Sequence, residues 1–355
     1  MSPSWLIRLC LQPEQALALS LTDWSLLIRQ ARAANLLALL ADTLDRAGLL
    51  EQLPEPPRHH LNSALTLVQR QRQSVLWEIE RLEEALQPLE QPFVLLKGAA
   101  YVAAELPLAA GRLLSDVDIL VAEQELAHAE QLLAIHGWHG AHHHPYDQHY
   151  YRTWMHELPP LLHLKRQSVL DVHHRILPRT CRNSPDPASL LADSQPLAGF
   201  DKARLPSNVD LLLHSAIHLF HESELHHGLR DLFDLRQLFR LFGSQQRFWS
   251  QLLDRATQWR QRPAIFHACR HVEGLLDDEL PTPVKQALAD SAPRWPVLKM
   301  LDFCYRRALQ PQHPSCAPTG TAVALAGLYL RGHWLRMPPH LLLPHLLRKA
   351  LRSED

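Results

Sequence analysis

Cysteine is scarce and scattered: Cys10, Cys181, Cys269, Cys304 and Cys316 are odd in number, far apart and never in a C-x-x-C pair. That argues against a disulfide framework or a zinc knuckle and fits a reducing, cytoplasmic setting. Glycine is short too, with 12 residues against 27 prolines, which disfavours a glycine-turned all-β protein and favours helices punctuated by proline. Neither charge sign is in excess. Lys and Arg total 36 against 37 Asp and Glu, a formal net charge of -1, so no stable nucleic-acid complex is expected. Long apolar runs are missing: the longest weakly polar stretch, 317–330, is too short to span a bilayer and is interrupted by Thr319, Gly320 and Thr321. The opening MSPSWLIRLCLQPEQ has no basic n-region followed by a sustained apolar stretch, so a signal peptide is not expected.

What is present is a globular balance, 46% hydrophobic and 21% charged over 355 residues, enough for one large or two to three small units. Apolar residues recur at helical spacing from the start (Leu26, Leu27, Ala31, then Leu36, Leu37, Leu40, Leu44). Thr22 and Asp23 are expected to cap a helix entered at Trp24, and the Pro54 to Pro57 cluster precedes a helix of roughly thirty residues ending near Pro88. The run Phe93-Val94-Leu95-Leu96, closed by Lys97-Gly98, then reads as a buried strand entering a helix over 99–106. A strand over 115–121, a helix over 123–136 and short strands near 138–142, 146–154, 161–164 and 169–174 follow. After a polar connection, leucine spacing predicts helices from Ser207 through Phe242. The expected class is α+β and predominantly helical: a helical region over 1–90, a small mixed sheet core over 91–177 and a second helical region over 178–355. No fixed-period repeat suggests a solenoid.

Asp116 and Asp118 lie two apart on the expected strand, so both carboxylates leave one face. Like charges so close demand a counter-charge, and Mg²⁺ or Mn²⁺ suits hard carboxylate oxygens. D-x-D alone is also a common chance pairing on a solvated turn. Here a strand-to-helix turn at Gly98 precedes it, where glycine lets phosphate approach backbone N–H groups. Asp171 adds a third acid within a later apolar strand, where an unpaired carboxylate is costly.

These runs, Phe93 to Ala100, Arg112-Leu113-Leu114-Ser115-Asp116-Val117-Asp118-Ile119-Leu120-Val121 and Asp171-Val172-His173, resemble the bacterial uncharacterised nucleotidyltransferase family of the polymerase-β-like nucleotidyltransferase superfamily. His218-Leu219-Phe220-His221 and Leu229-Arg230-Asp231-Leu232-Phe233-Asp234-Leu235 resemble the same family's later helical segment, and the likeness spans roughly 20–240. The resemblance implies that Asp116 and Asp118 bind two Mg²⁺ ions and that Asp171 completes one site or serves as general base. It implies that Gly98 and Ala99 receive the nucleotide, with Lys97, Arg112 and Ser115 beside them, and that His173, His218, His221 and Asp234 line the cleft. The partners implied are an NTP, ATP foremost, and a hydroxyl acceptor on a small molecule, sugar or protein, with pyrophosphate released. Gly98-Ala99 departs from the superfamily's usual Gly-Ser or Gly-Gly turn, which favours an inactive interaction or regulatory module as the alternative.

Other groupings carry weaker readings. Lys97 and Arg112 suit triphosphate oxygens, or ion pairs with the nearby acids. His214, His218 and His221 share a helix face that could bind zinc with Glu222 or Glu224 as base, although the 24 histidines are spread throughout the chain. The basic stretch Arg331, Arg336, Arg348, Lys349 and Arg352, with Trp334, reads either as peripheral membrane contact or as a terminal helix packed on the body. Packing is the favoured reading.

Overall fold

A computed structural model describes residues 4–140, 145–338 and 340. It is an α+β protein, 63% helical, with one mixed seven-stranded sheet. The N-terminal helices are α1 (Trp5–Leu11), α2 (Leu21–Ala33), α3 (Leu37–Arg46) and α4 (Glu55–Leu86). The middle of the chain alternates: β1 (Phe93–Leu96), α5 (Lys97–Ala103), β2 (Val117–Leu120), α6 (Leu126–Ile135), β3 (Trp138–Gly140), α7 (Pro145–Trp154), β4 (Leu161–His163) and β5 (Val169–His173). Next come α8 (Ala188–Ala192), β6 (Gln195–Pro196) and β7 (Ala203–Leu205). The rest is helical: α9 (Asn208–His221), α10 (Gly228–Phe242), α11 (Phe248–Gln258), α12 (Arg262–Leu276), α13 (Thr282–Leu288), α14 (Trp295–Ala308) and α15 (Thr321–Arg336).

The cap of α2 falls earlier than expected. Ser20 is the N-cap: its hydroxyl accepts from the Asp23 N–H at 3.2 Å, and the Asp23 carboxylate accepts from the Ser20 N–H at 3.1 Å, a reciprocal box that begins the helix at Leu21. Helix α4 runs 32 residues, with Pro56 and Pro57 inside its first turn, where no intrahelical N–H bond is required. The segment expected as a strand over 146–154 is instead helix α7. Its aromatic residues suggested β structure, but Tyr150 and Trp154 stand four apart and their rings meet edge to face at 5.8 Å, while Arg152 Nε donates to Gln148 Oε1 at 3.0 Å. His142, His143 and His144 lie outside the described residues.

The strand order is β3-β4-β5-β2-β1-β7-β6. β1 runs antiparallel to β2 with Leu96 opposite Asp118, and β2 runs parallel to β5 with Asp118 beside Asp171. The connection after Pro178, read as loop, adds β6 and β7, and β7 pairs in parallel with β1. Strands this short carry no period-2 signal, so only pairing reveals them. One continuous apolar cluster, from Leu6 in α1 through the fully buried Phe93, Val94, Leu95 and Leu96 of β1 to Leu328 in α15, joins the helices on both sides to the sheet.

Many histidines are packing residues. His267 and His271 of α12 stack at 6.0 Å, and both rings lie against Phe220 and Tyr305. Burial pushes the His271 imidazole down to about 3. The folded chain therefore keeps the ring neutral while the unfolded chain protonates near 6.5, so its contribution is complete above pH 6.5 and is lost as pH falls toward 3. His271→Phe is expected to reduce the acid dependence of stability by about 1.4 kcal/mol per pH unit between pH 6 and 4. Denaturant melts at several pH values check this, and an unchanged slope would refute it.

Candidate active site

Three strands deliver charge to one face. Because Leu96 pairs with Asp118, the next residue, Lys97, starts α5 above it, and its Nζ donates to Asp118 Oδ1 at 2.8 Å. Lys97 holds this position with a left-handed backbone (φ 44°), unusual for a side-chain-bearing residue. On the other flank, Asp171 lies beside Asp118, and His173, two residues further on the same strand face, brings Nε2 to 3.0 Å from the same Oδ1. Burial opposes ionisation of Asp118, but Lys97 and His173 outweigh it and hold the carboxyl far below the usual carboxylate range. Burial likewise works against the Lys97 ammonium, and Asp118 overcomes it, raising its affinity for the proton.

Asp171 has no such partner. Its Oδ1 is buried without a hydrogen bond, and burial together with Asp118 and Glu157 pushes its carboxyl up to about 8. Asp116, half-buried just before β2, is also raised, by burial and then by Asp118. The face thus holds one carboxylate ionised by its two partners and two carboxyls shifted towards their neutral form.

A cleft of about 290 Å³ opens in front of Asp118, with Lys97, Asp116 and Asp118 on the sheet side and His218, Glu222 and Asp231 on the helical side. Gly98, Arg112, Ser115 and Asp234 also line it, whereas Asp171 and His173, on the neighbouring strand β5, do not. Buried Ala99 is likewise absent from the cleft wall. Arg112 is buried over the Tyr101 ring at 5.4 Å, with Nε 3.2 Å from Asp234 Oδ2, which ties the segment before β2 to α10. It therefore makes the ion pair weighed as its alternative role while still bordering the cleft. Burial raises the Asp234 carboxyl to about 6, against the opposing pull of Arg112.

The three histidines of α9 do not converge. Burial and Lys97 push His218, on the cleft wall, down to about 4. His221 is turned elsewhere, with Nδ1 3.2 Å from the Ile217 carbonyl. Among the described residues, the group that brings three ligand atoms within 4.8 Å of one another is His156, Glu157 and His173; neither His214, His218 and His221 nor the three aspartates form such a group. His156 and Glu157 were not singled out from sequence. The signal for them is tertiary: Glu157 forms an antiparallel bridge with His173 at the end of β5. Of the C-terminal basic residues, Arg331 donates to the Phe220 carbonyl at 2.8 Å and Arg336 to Glu222 Oε1 at 2.6 Å, so both turn onto the body. Arg348, Lys349 and Arg352 lie outside the described residues.

Fold and site together define a mostly helical α+β protein with a lysine-and-carboxylate cleft at the centre of its sheet. The family model described as "Uncharacterised nucleotidyltransferase" matches residues 20–277, well over half of the chain, and the chain belongs to that family. The matched span takes in the whole sheet and helices α2 through α12. No curated protein and no solved structure matches the chain. No helix among the described residues is long and apolar enough to cross a membrane.

The turn glycine has a packing role. A Cβ at Gly98 would stand 2.4 Å from Leu114 Cδ2 and 3.6 Å from Arg112 Nε. Gly98→Ala is expected to destabilise the protein by about 1–3 kcal/mol, and Gly98→Ala with Leu114→Ala to recover part of that loss. Chemical denaturation of the single and double variants checks this; additive losses would refute the steric account.

Proposed function

We propose that the protein transfers a nucleoside monophosphate from an NTP, ATP foremost, to a hydroxyl acceptor with release of pyrophosphate. Asp116, Asp118 and Asp171 would hold Mg²⁺ or Mn²⁺. The observation that carries this is the in-register pairing of Asp118 with Asp171, next to Asp116 at the mouth of a cleft. Acidic oxygens outnumber the cations that face them, and the buried Asp171 Oδ1 has no partner. A hard divalent ion suits such a donor set. When bound, magnesium neutralises triphosphate charge and clamps the entering and leaving oxygens.

The chain's own groups divide the remaining work. Lys97, fully charged, fixes Asp118 and offers its ammonium to the cleft. Arg112 and Ser115 border the same space, and Gly98 keeps the turn compact beside it. With its carboxyl pushed up to about 8, Asp171 is protonated at neutral pH in the ion-free protein, and either task, completing the ion site or accepting the proton of the acceptor hydroxyl, requires it first to lose that proton. The polymerase-β-like pattern of a glycine turn, a D-x-D strand and a third acidic strand supports the same reading. A second reading, a nucleotidyltransferase fold kept for binding alone, draws on one observation. Lys97 Nζ already sits on Asp118 Oδ1, where a cation would compete with it.

Thermal unfolding with ATP, GTP, CTP and UTP, each with and without Mg²⁺ or Mn²⁺, separates the two. Nucleotidyl transfer requires a metal-dependent stabilisation by at least one nucleotide, about 2.7 kcal/mol at a hundredfold excess over Kd, and its loss in Asp116→Asn/Asp118→Asn. No stabilisation by any nucleotide at saturating concentration would favour the binding-only module.

A further inference from the structure

Beside the cleft, along β5 on the opposite flank of Asp118 from Lys97, two imidazoles and a carboxylate meet at a place that the nucleotidyl-transfer reading does not use. His156 Nε2 is 3.7 Å from Glu157 Oε2, and His173 Nε2 is 3.5 Å from the same oxygen. His173 Nε2 is also 3.0 Å from Asp118 Oδ1. Ligand bonds of about 2.0–2.2 Å in a tetrahedral zinc site put neighbouring ligand atoms about 3.4 Å apart. The two histidine-to-Glu157 spacings therefore already approximate edges of such a tetrahedron. We propose that His156, Glu157 and His173 form a three-residue binding site for a divalent transition-metal ion of the zinc class, with its fourth position open to water.

The backbone holds the ligands in place. Leu158 N–H donates to the Val172 carbonyl and His174 N–H to the His156 carbonyl, each at 2.9 Å, so the segment carrying His156 and Glu157 is fastened along β5. The Nε2 atoms of both rings face the same Glu157 Oε2, and Nε2 is the atom of each ring that would ligate the ion. The His156 ring is held neutral, chiefly by burial and then by His173, the form that can ligate. Imidazole nitrogens select a borderline ion over magnesium, which prefers oxygen. His173 Nε2 also contacts Asp118 Oδ1, so an ion held there would displace that contact. Ion binding itself does not depend on nucleotidyl transfer.

The test is titration of the chelator-treated full chain, made without a histidine tag, with Co²⁺ as a spectroscopic stand-in for Zn²⁺. One equivalent is expected to produce the visible d–d band of four-coordinate Co²⁺, which Zn²⁺ displaces and millimolar Mg²⁺ does not. His156→Ala and Glu157→Gln are each expected to weaken binding by more than about tenfold, while His128→Ala, an exposed histidine on α6, leaves it unchanged. Diffraction at the zinc edge from crystals of the wild-type protein should place one anomalous peak between His156 and His173, and this readout stands even if a variant fails to fold. The absence of a four-coordinate band, a band unaltered in both ligand variants, or an anomalous peak elsewhere would overturn the proposal.

Discussion

Asp118 cannot exist in this interior without company. Its side chain is almost wholly buried, and its ionised state survives because Lys97 and His173 both address one oxygen. Stripping one partner from a buried charge typically costs about 3–5 kcal/mol, so the pairing constrains everything around it. β1 must run antiparallel to β2 to bring Lys97 over the carboxylate, and β5 must run parallel to bring His173 up from the other flank. Even the left-handed backbone at Lys97 follows from this demand, since the chain must leave β1 and enter α5 while keeping the ammonium on Asp118.

The arrangement divides the acids into two kinds. Lys97 and His173 answer Asp118, while Asp116 at the cleft and Asp171 beside it are raised by burial and by their acidic neighbours. Carboxyls held so far from their ordinary range mark a site built for something other than stability. The helical wall supplies its own balance through the buried Arg112–Asp234 pair, which ties the D-x-D segment to α10. Sheet and helical layers thus share both an apolar core and an ionic one.

Several features were legible from sequence because they rest on local signals. Leucine spacing marked the helical segments, the apolar run at Phe93 marked β1, and the D-x-D strand with Asp171 downstream marked the acidic positions. Elements were misread where local and long-range preferences diverge. The aromatic stretch of α7 has β-favouring residues at helical spacing, and β6 and β7 are too short to carry a period. Arg112 shows the same limit within the site. Its position before D-x-D suggested phosphate contact, but its charge is met by Asp234, a hundred and more residues away in the chain.

The sequence by itself determined the class of the protein, the order of its helical and sheet regions and the identity of the acidic residues, because periodicity and motif spacing are properties of neighbouring residues. Only the tertiary structure decided which acids are held ionised and which are not, that Asp171 stays outside the cleft wall, and that His156 and Glu157 join His173. Those outcomes depend on strand register and burial. Register sets which side chains share a face, and burial sets what an unshared charge costs; both arise only when distant segments pack.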